Sequence, residues 1–185
     1  REPSRADFEN GNPKPEELND YELGWRFKRE KASLLVNFYA MDYTNQLALT
    51  GALDDVGTPI RENVGKSSRL GIELEGTFVL GNRWTWKPNV TFSRNRNQDF
   101  YFQRNGVLAA LGDTHLSFSP AVVAGNIITF QPSSNLKIAL LTKHVGEQYM
   151  GNIDSETSKL EAYSLSDLNI NYRILPKGLF KEINI

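Results

Sequence analysis

The chain of 185 residues contains no cysteine. That excludes a disulfide framework and any thiolate metal site. Histidine is nearly as scarce, at His115 and His144 only, so a zinc or haem site would have few ligands to draw on. Basic residues number 21 against 22 acidic ones, and the net charge of -1 leaves no electrostatic footprint for nucleic acid. No run of about 18 apolar residues occurs, which excludes a transmembrane helix. A transmembrane strand passes that test, because alternation dilutes its apolar residues by half. The opening stretch REPSRADFENGNPKPEE has no apolar leader core and no initiating Met, so the chain reads as a mature protein or a piece of one. Phosphate-binding glycine loops, nucleophile elbows and metal-ligating histidine pairs are absent, and no segment has a convincing helical period.

What the chain does have is alternation. In RLGIELEGTFVLGNRWTWKPNVTF (69–92), Leu70, Ile72, Leu74, Phe78 and Leu80 alternate with Arg69, Gly71, Glu73, Glu75 and Thr77. The run reverses at Gly81-Asn82 and resumes. Period two marks a strand with one apolar and one polar face, and the Gly-Asn reversal marks a hairpin. Tyr21, Leu23, Trp25 and Phe27 repeat the pattern in residues 19–29. A strand from Ala32 carries Leu34, Val36 and Phe38 on one side and is expected to run to about Thr50. Further strands are expected at about 116–130, where Val122, Ala124 and Ile128 compete with Val123 and Ile127 for the apolar face, and at 136–145, 160–175 and from 182 onward.

Connections alternate in length. Those at 30–31, 81–83, 131–135 and 176–181 are short, whereas 51–67, 95–114 and 147–159 are long and polar. Strands of about 11–16 residues exceed the usual globular length of about 5–6. Long strands with short turns at one end and long loops at the other fit an up-and-down outer-membrane barrel. Trp25, Phe27, Trp84, Trp86, Phe130 and Tyr172 fall near the short turns, where an aromatic girdle would sit. The expected fold is therefore an all-β, antiparallel partial barrel of about seven to eight long strands, with its apolar face toward lipid. A soluble β-sandwich binding domain, for example one for carbohydrate, would explain the alternation too, by packing the apolar faces on each other. Strand length and loop asymmetry weigh against it.

Several stretches carry a resemblance: REPSRADF (1–8), NDYELGWRF (19–27), residues 37–76, SFSPAVVAGN (117–126), HVGEQYMGN (144–152) and LNINYRI (168–174). Together they resemble TonB-dependent outer-membrane receptors, in the Bacteroidetes-type branch of iron or siderophore receptors. The resemblance implies a 22-stranded barrel of a Gram-negative outer membrane. An N-terminal plug would close it, and TonB would energise uptake of a scarce nutrient, an iron-siderophore complex foremost. Against that pattern, residues 1–185 are expected to be the C-terminal portion of the barrel, with the plug, the earlier strands and the final strand absent. Seven or eight strands cannot enclose a plugged lumen. The implied partners are outer-membrane lipid, the plug, the earlier strands, TonB and the ligand; no cofactor, metal, nucleic acid or catalytic residue is expected.

Two groups of residues stand out. Phe100, Tyr101, Phe102 and Arg104 in the 95–114 connection, with His115 beside it, suit an anionic or aromatic ligand at an extracellular loop. Arg26, Arg69, Glu73, Glu75, Lys87, Asn169, Asn171 and Arg173 occupy polar alternate positions and are expected to face a wet lumen. Glu73 and Glu75 stand about 7 Å apart on one strand. A glycosidase carboxylate pair has similar spacing, but no third group or cleft accompanies them, and pairing with Arg26, Arg69 or Lys87 is the preferred reading. Asp54-Asp55 and the acidic 16–20 run read as solvated faces rather than cation sites, and the mixed charges of REPSRADF as salt bridges holding a loop.

Overall fold

The computed structural model describes residues 8, 13–53, 56–57, 59–63, 65–104, 107–174 and 183–184. They form strands β1 (Glu17–Lys28), β2 (Ala32–Thr44), β3 (Leu47–Leu53), β4 (Pro59–Asn63), β5 (Lys66–Leu80), β6 (Trp84–Arg104) and β7 (Val107–His115). After these come β8 (Val122–Phe130), β9 (Leu136–Val145), β10 (Gln148–Tyr149), β11 (Lys159–Leu160), β12 (Tyr163–Ile174) and β13 (Ile183–Asn184). One sheet runs in the order β1-β2-β5-β6-β8-β9-β12-β13, with β7 paired to the far part of β6. Every pairing is antiparallel. The path does not close among the described residues, so the fold is an open, partial barrel.

The short connections lie along one end. The amide of Val79 donates to the Lys31 carbonyl at 2.8 Å, Gln131 to Arg83 at 2.8 Å, and Arg173 to Asn135 at 2.8 Å. Each short turn is thus hydrogen-bonded to the strand arriving beside it. Gly81 adopts φ 68°, a left-handed conformation that its lack of a Cβ makes inexpensive in a tight hairpin. The expected turn at 176–181 lies outside the described residues.

Register sorts the side chains. Leu70 faces Arg94 and Ala40, Ile72 faces Phe92 and Phe38, and Leu74 faces Val90 and Val36. Glu73 faces Thr91 and Asn37, and Glu75 faces Asn89 and Leu35. Opposed residues share a face, so one face gathers Leu70, Ile72, Leu74, Val90, Phe92, Leu168 and Ile170. The other gathers Arg69, Glu73, Glu75, Asn89, Thr91, Asn169 and Asn171. The apolar face is open: Leu23 is 72%, Leu70 57% and Leu168 65% exposed. Near the short turns it carries stacked aromatic pairs, Trp25 with Phe27 at 6.2 Å, Phe78 with Trp86 at 5.3 Å and Trp84 with Phe130 at 4.4 Å.

Three expectations are corrected. Residues 95–114 are not an irregular connection; β6 continues to Arg104 and β7 returns along it as a hairpin. β2 does not reach Thr50: it stops at Thr44, Asn45 turns into the left-handed region at φ 56°, and Leu47–Leu53 pairs with Pro59–Asn63 instead. The strand expected from about 116 starts at Val122. Its undecided phase is settled by pairing: Val122, Ala124 and Ile128 oppose Phe92, Val90 and Trp86 and so take the apolar face.

Candidate functional site

Among the described residues the buried side chains are few and lie at the long-loop end: Ser67, Asn97, Phe100, Thr114, Leu116, Val145 and Asn152. β6 outruns β5 there, and β7 folds back on it across bulges between Asn97 and Tyr101. Asp99 at φ 50° and Gly112 at φ 68° accommodate that offset. The bulge turns Phe100 inward, where it is 1% exposed, and leaves Tyr101 57% exposed. Asn97 donates to Thr114 Oγ1 at 3.1 Å and to the His115 carbonyl at 3.2 Å, fixing the hairpin from inside.

A second layer ties this hairpin to the segment after β9. His115 lies opposite Arg96 in the ladder. Its amide donates to Asp154 Oδ1 at 2.9 Å, and its Nδ1 stands 2.9 Å from Asp154 Oδ2 and 3.0 Å from an Arg96 guanidinium nitrogen. One ring nitrogen either donates to the carboxylate or accepts from the guanidinium, so the two partners compete for it. Arg96 also approaches Asp154 directly at 3.8 Å. The His115 ring stacks on Tyr149 at 5.2 Å. Below it, Ser117 N donates to Asn152 Oδ1 at 2.9 Å and Phe118 N to the Tyr149 carbonyl at 2.8 Å. Asn152 is buried, so its bond to Ser117 is sheltered, whereas the His115 and Asp154 side chains stay partly exposed. A Lys159–Glu147 ion pair of 3.0 Å closes the same segment, and the Glu147 hydrogen bond holds the Lys159 ammonium above the ordinary lysine pKa.

A cavity of about 110 Å3 opens beside this clasp, lined by Ser93, Arg96, His115, Ser119 and Tyr149 among others. Asp154 meets both Arg96 and His115 and Lys159 meets Glu147, while Arg94, which also lines the cavity, forms no ion pair among the described residues. The arrangement holds two outer segments together and presents small polar donors; it has no carboxylate pair or nucleophile poised for catalysis. Among the described residues no group of three His, Asp or Glu could hold a metal ion.

The sequence-level candidates therefore separate. His115 is part of the clasp, with partners 19 and 39 residues away that no local pattern announces. Phe100 is packed inside the hairpin, whereas Tyr101 stands outside it. Phe102 and Arg104 lie on β6 in register with Ala109 and Val107, and their side chains are outside the described residues, as are Arg1 to Asp7 and Asp54-Asp55. On the polar face, Glu73 accepts from Asn37 Nδ2 at 3.4 Å, and Arg69 sits 4.6 Å over the Tyr43 ring. Glu73 and Glu75 form no ion pair with Arg26, Arg69 or Lys87 among the described residues. β2 intervenes between Arg26 on β1 and Glu75 on β5, a gap of two strand spacings, about 10 Å. Arg26 and Glu75 instead border a recess of about 260 Å3. Asn169 and Asn171 oppose Ala139 and Lys137, and Arg173 opposes Asn184.

Comparison with known proteins gives this geometry a context. The chain is similar in structure to the ferric yersiniabactin uptake receptor FyuA of Yersinia pestis, at TM-score 0.64 and 20% identity over 85% of this chain and 22% of that one. It is similar to the siderophore receptor PiuA of Acinetobacter baumannii, at 0.65 and 18% over 85% and 22%. The ferric-catecholate import receptor Fiu of E. coli K12 gives 0.62 and 18% over 94% and 24%. At these identities the likeness is one of fold, and the chain spans about a quarter of the length of each relative. No curated protein matches it in sequence. The model of the family described as TonB dependent receptor-like, beta-barrel, matches residues 2–183, and barrels of this family are receptors and transporters of Gram-negative outer membranes. With a family match over nearly its whole length, an open antiparallel sheet and an exposed apolar face, the chain belongs to the TonB-dependent receptor β-barrel family.

Proposed function

We propose that this chain is part of a receptor that takes up a scarce nutrient, an iron-siderophore complex foremost, across the outer membrane of a Gram-negative bacterium with energy from TonB. The observation that carries the reading is the family match over residues 2–183 on a sheet whose apolar face is exposed. Apolar surface of that extent is stable against lipid and not against water. Siderophore receptors among the structural relatives support the ligand class. In this reading residues 1–185 are the C-terminal portion of the barrel. A plug domain and further strands come from elsewhere in the receptor, and no chemistry is performed on the ligand. Arg26, Arg69, Glu73, Glu75, Lys87, Asn169, Asn171 and Arg173 line its aqueous lumen. Tyr101, with Phe102 and Arg104 beyond it, offers ligand contacts at the outer mouth; Phe100 supports that hairpin from within. The narrower Bacteroidetes-type assignment belongs to the same proposal.

The test is radioactive iron uptake in the source bacterium under iron limitation. Deleting the receptor gene should abolish uptake of at least one ferric siderophore, and deleting TonB should abolish it equally. Uptake unchanged across a panel of ferric siderophores would overturn the ligand class, and uptake insensitive to TonB would overturn the energisation.

A further inference from the structure

Residues 116–121 form a strap that carries the chain from β7 to β8. β6 pairs with β8 as far as Phe92 opposite Val122, and with β7 from Arg96 opposite His115, so the strap bridges a change of partner. Phe118, in its middle, adopts φ 50° and stays 59% exposed. A bulky residue in the left-handed region is strained, and a ring left in the open gains little packing in return. Something must therefore hold the strap in shape. The amides of His115, Ser117 and Phe118 do so by donating to Asp154 Oδ1 at 2.9 Å, Asn152 Oδ1 at 2.9 Å and the Tyr149 carbonyl at 2.8 Å. All three acceptors belong to residues 149–154.

His115 couples this hold to protons. Its Nδ1 lies 2.9 Å from Asp154 Oδ2 and 3.0 Å from an Arg96 guanidinium nitrogen, and one nitrogen cannot serve both. With a bare Nδ1 the ring accepts from Arg96. With a proton there, and a positive charge, it donates to Asp154 and repels the guanidinium. Arg96 and Asp154 are themselves 3.8 Å apart, too far for a direct hydrogen bond. The other charged and titratable groups around the ring have partners of their own or carry the sign of Arg96. Tyr149 stacks on the ring at 5.2 Å, Glu147 on the cavity wall pairs with Lys159 at 3.0 Å, and Arg94 is a second cation on that wall. On the strand of His115 itself, Asp113 accepts from the Asp99 amide at 3.4 Å. The His115 and Asp154 side chains are both partly exposed, so solvent protons reach them.

We infer that His115 is a proton-operated latch on the 116–121 strap. Protonation commits Nδ1 to Asp154, closes the latch and turns Arg96 toward the cavity. Loss of the proton gives Nδ1 to Arg96 and leaves Asp154 with the His115 amide alone. Imidazoles change charge between about pH 5 and 8, and ordinary carboxylates stay ionised through that window. The added hold is therefore complete at the acid end and is lost as pH rises. Strain at Phe118 supplies the return, because a loosened strap can leave the left-handed conformation. The inference goes beyond nutrient uptake and is independent of the ligand.

The experiment follows amide hydrogen exchange in the full-length receptor in detergent from about pH 5 to about pH 8, each rate divided by the intrinsic rate at that pH. Protection at Ser117 and Phe118 should fall about fivefold across the range, the scale of a charged contact at a partly exposed site, while β1 and β2 keep theirs. His115→Gln should flatten the dependence. Arg96→Met should shrink it too, because a neutral imidazole freed of its competitor can keep donating to Asp154. Heat-dependent gel mobility reports whether each variant is folded. Should His115→Gln or Arg96→Met fail that check, Asp154→Asn, which should also flatten the dependence, decides in its place. Constant protection in the unmodified receptor, or an undiminished dependence in any folded variant, would overturn the inference. None of these outcomes bears on iron uptake, so the functional reading stands or falls separately.

Discussion

The ring of Tyr39 covers Gly71. A methyl group at position 71 would lie 2.4 Å from Tyr39 Cζ and 2.7 Å from the Phe92 carbonyl oxygen. The two residues are directly opposed on β2 and β5, on the polar face, so the glycine gives the aromatic ring a flat seat across the neighbouring strand. Gly71→Ala should displace both the ring and the β6 backbone and destabilise the barrel by about 1–3 kcal/mol. Gly24→Ala is the matched control, since its nearest contact would be an ordinary 3.6 Å to Asn37 Oδ1. Thermal unfolding of the full receptor in detergent should separate the two variants, and equal melting temperatures would refute the account.

The two faces should differ in their tolerance of charge. Leu74→Arg, opposite Val90 and nearer mid-height of the apolar band, should cost about 2–4 kcal/mol, whereas Glu75→Arg, one residue on, should be accepted. In membranes, a cysteine placed at Glu73 should react with a water-soluble thiol reagent faster than one placed at Ile72. The reverse order would exchange the wet and lipid-facing assignments.

The clasp between Asp154 and His115 should control the mobility of the outer segments. Asp154→Asn keeps the shape but removes the charge from two close contacts. Given partial exposure, a loss of about 1 kcal/mol is expected. Amide hydrogen exchange at His115 and Ser117 should accelerate several-fold in the full receptor, while exchange in β1 and β2 stays unchanged. Unaltered exchange at both amides would show that the contact carries no constraint.

A pH dependence follows from Lys159. Its pKa is raised, first by the hydrogen bond to Glu147 and then by the Glu147 charge. A raised pKa means that the ammonium is favoured in the folded state. The contribution is complete below the ordinary lysine value and is lost as pH rises through the higher folded value. At alkaline pH Lys159 should therefore acylate more slowly in the unmodified receptor than in its Glu147→Gln variant. Equal Lys159 rates in the two would contradict this.

Legibility in the sequence followed the membrane. In the proposed receptor each strand between Arg69 and Phe92 has lipid on one side and water on the other, and strict alternation records that difference. In the stretch 95–114 the alternation is lost because the bulge at Asp99 breaks the phase and turns Phe100 inward, while Tyr101 beside it stays exposed. β8 was ambiguous for another reason: Val122-Val123 and Ile127-Ile128 put branched aliphatics on both faces, and only the partners Phe92 and Trp86 decide between them. The clasp could not be read at all, since Arg96, His115 and Asp154 meet only after two hairpins have folded.

The short turns bind strands into pairs, β1 with β2, β5 with β6 and β8 with β9. Such a wall can be lengthened or shortened only in steps of two. Inserting one strand would reverse the direction of every later one and send the clasped segments to the opposite end of the sheet. The hairpin is thus the quantum in which a barrel of this kind can grow by duplication, and a designer altering its girth has only even numbers available.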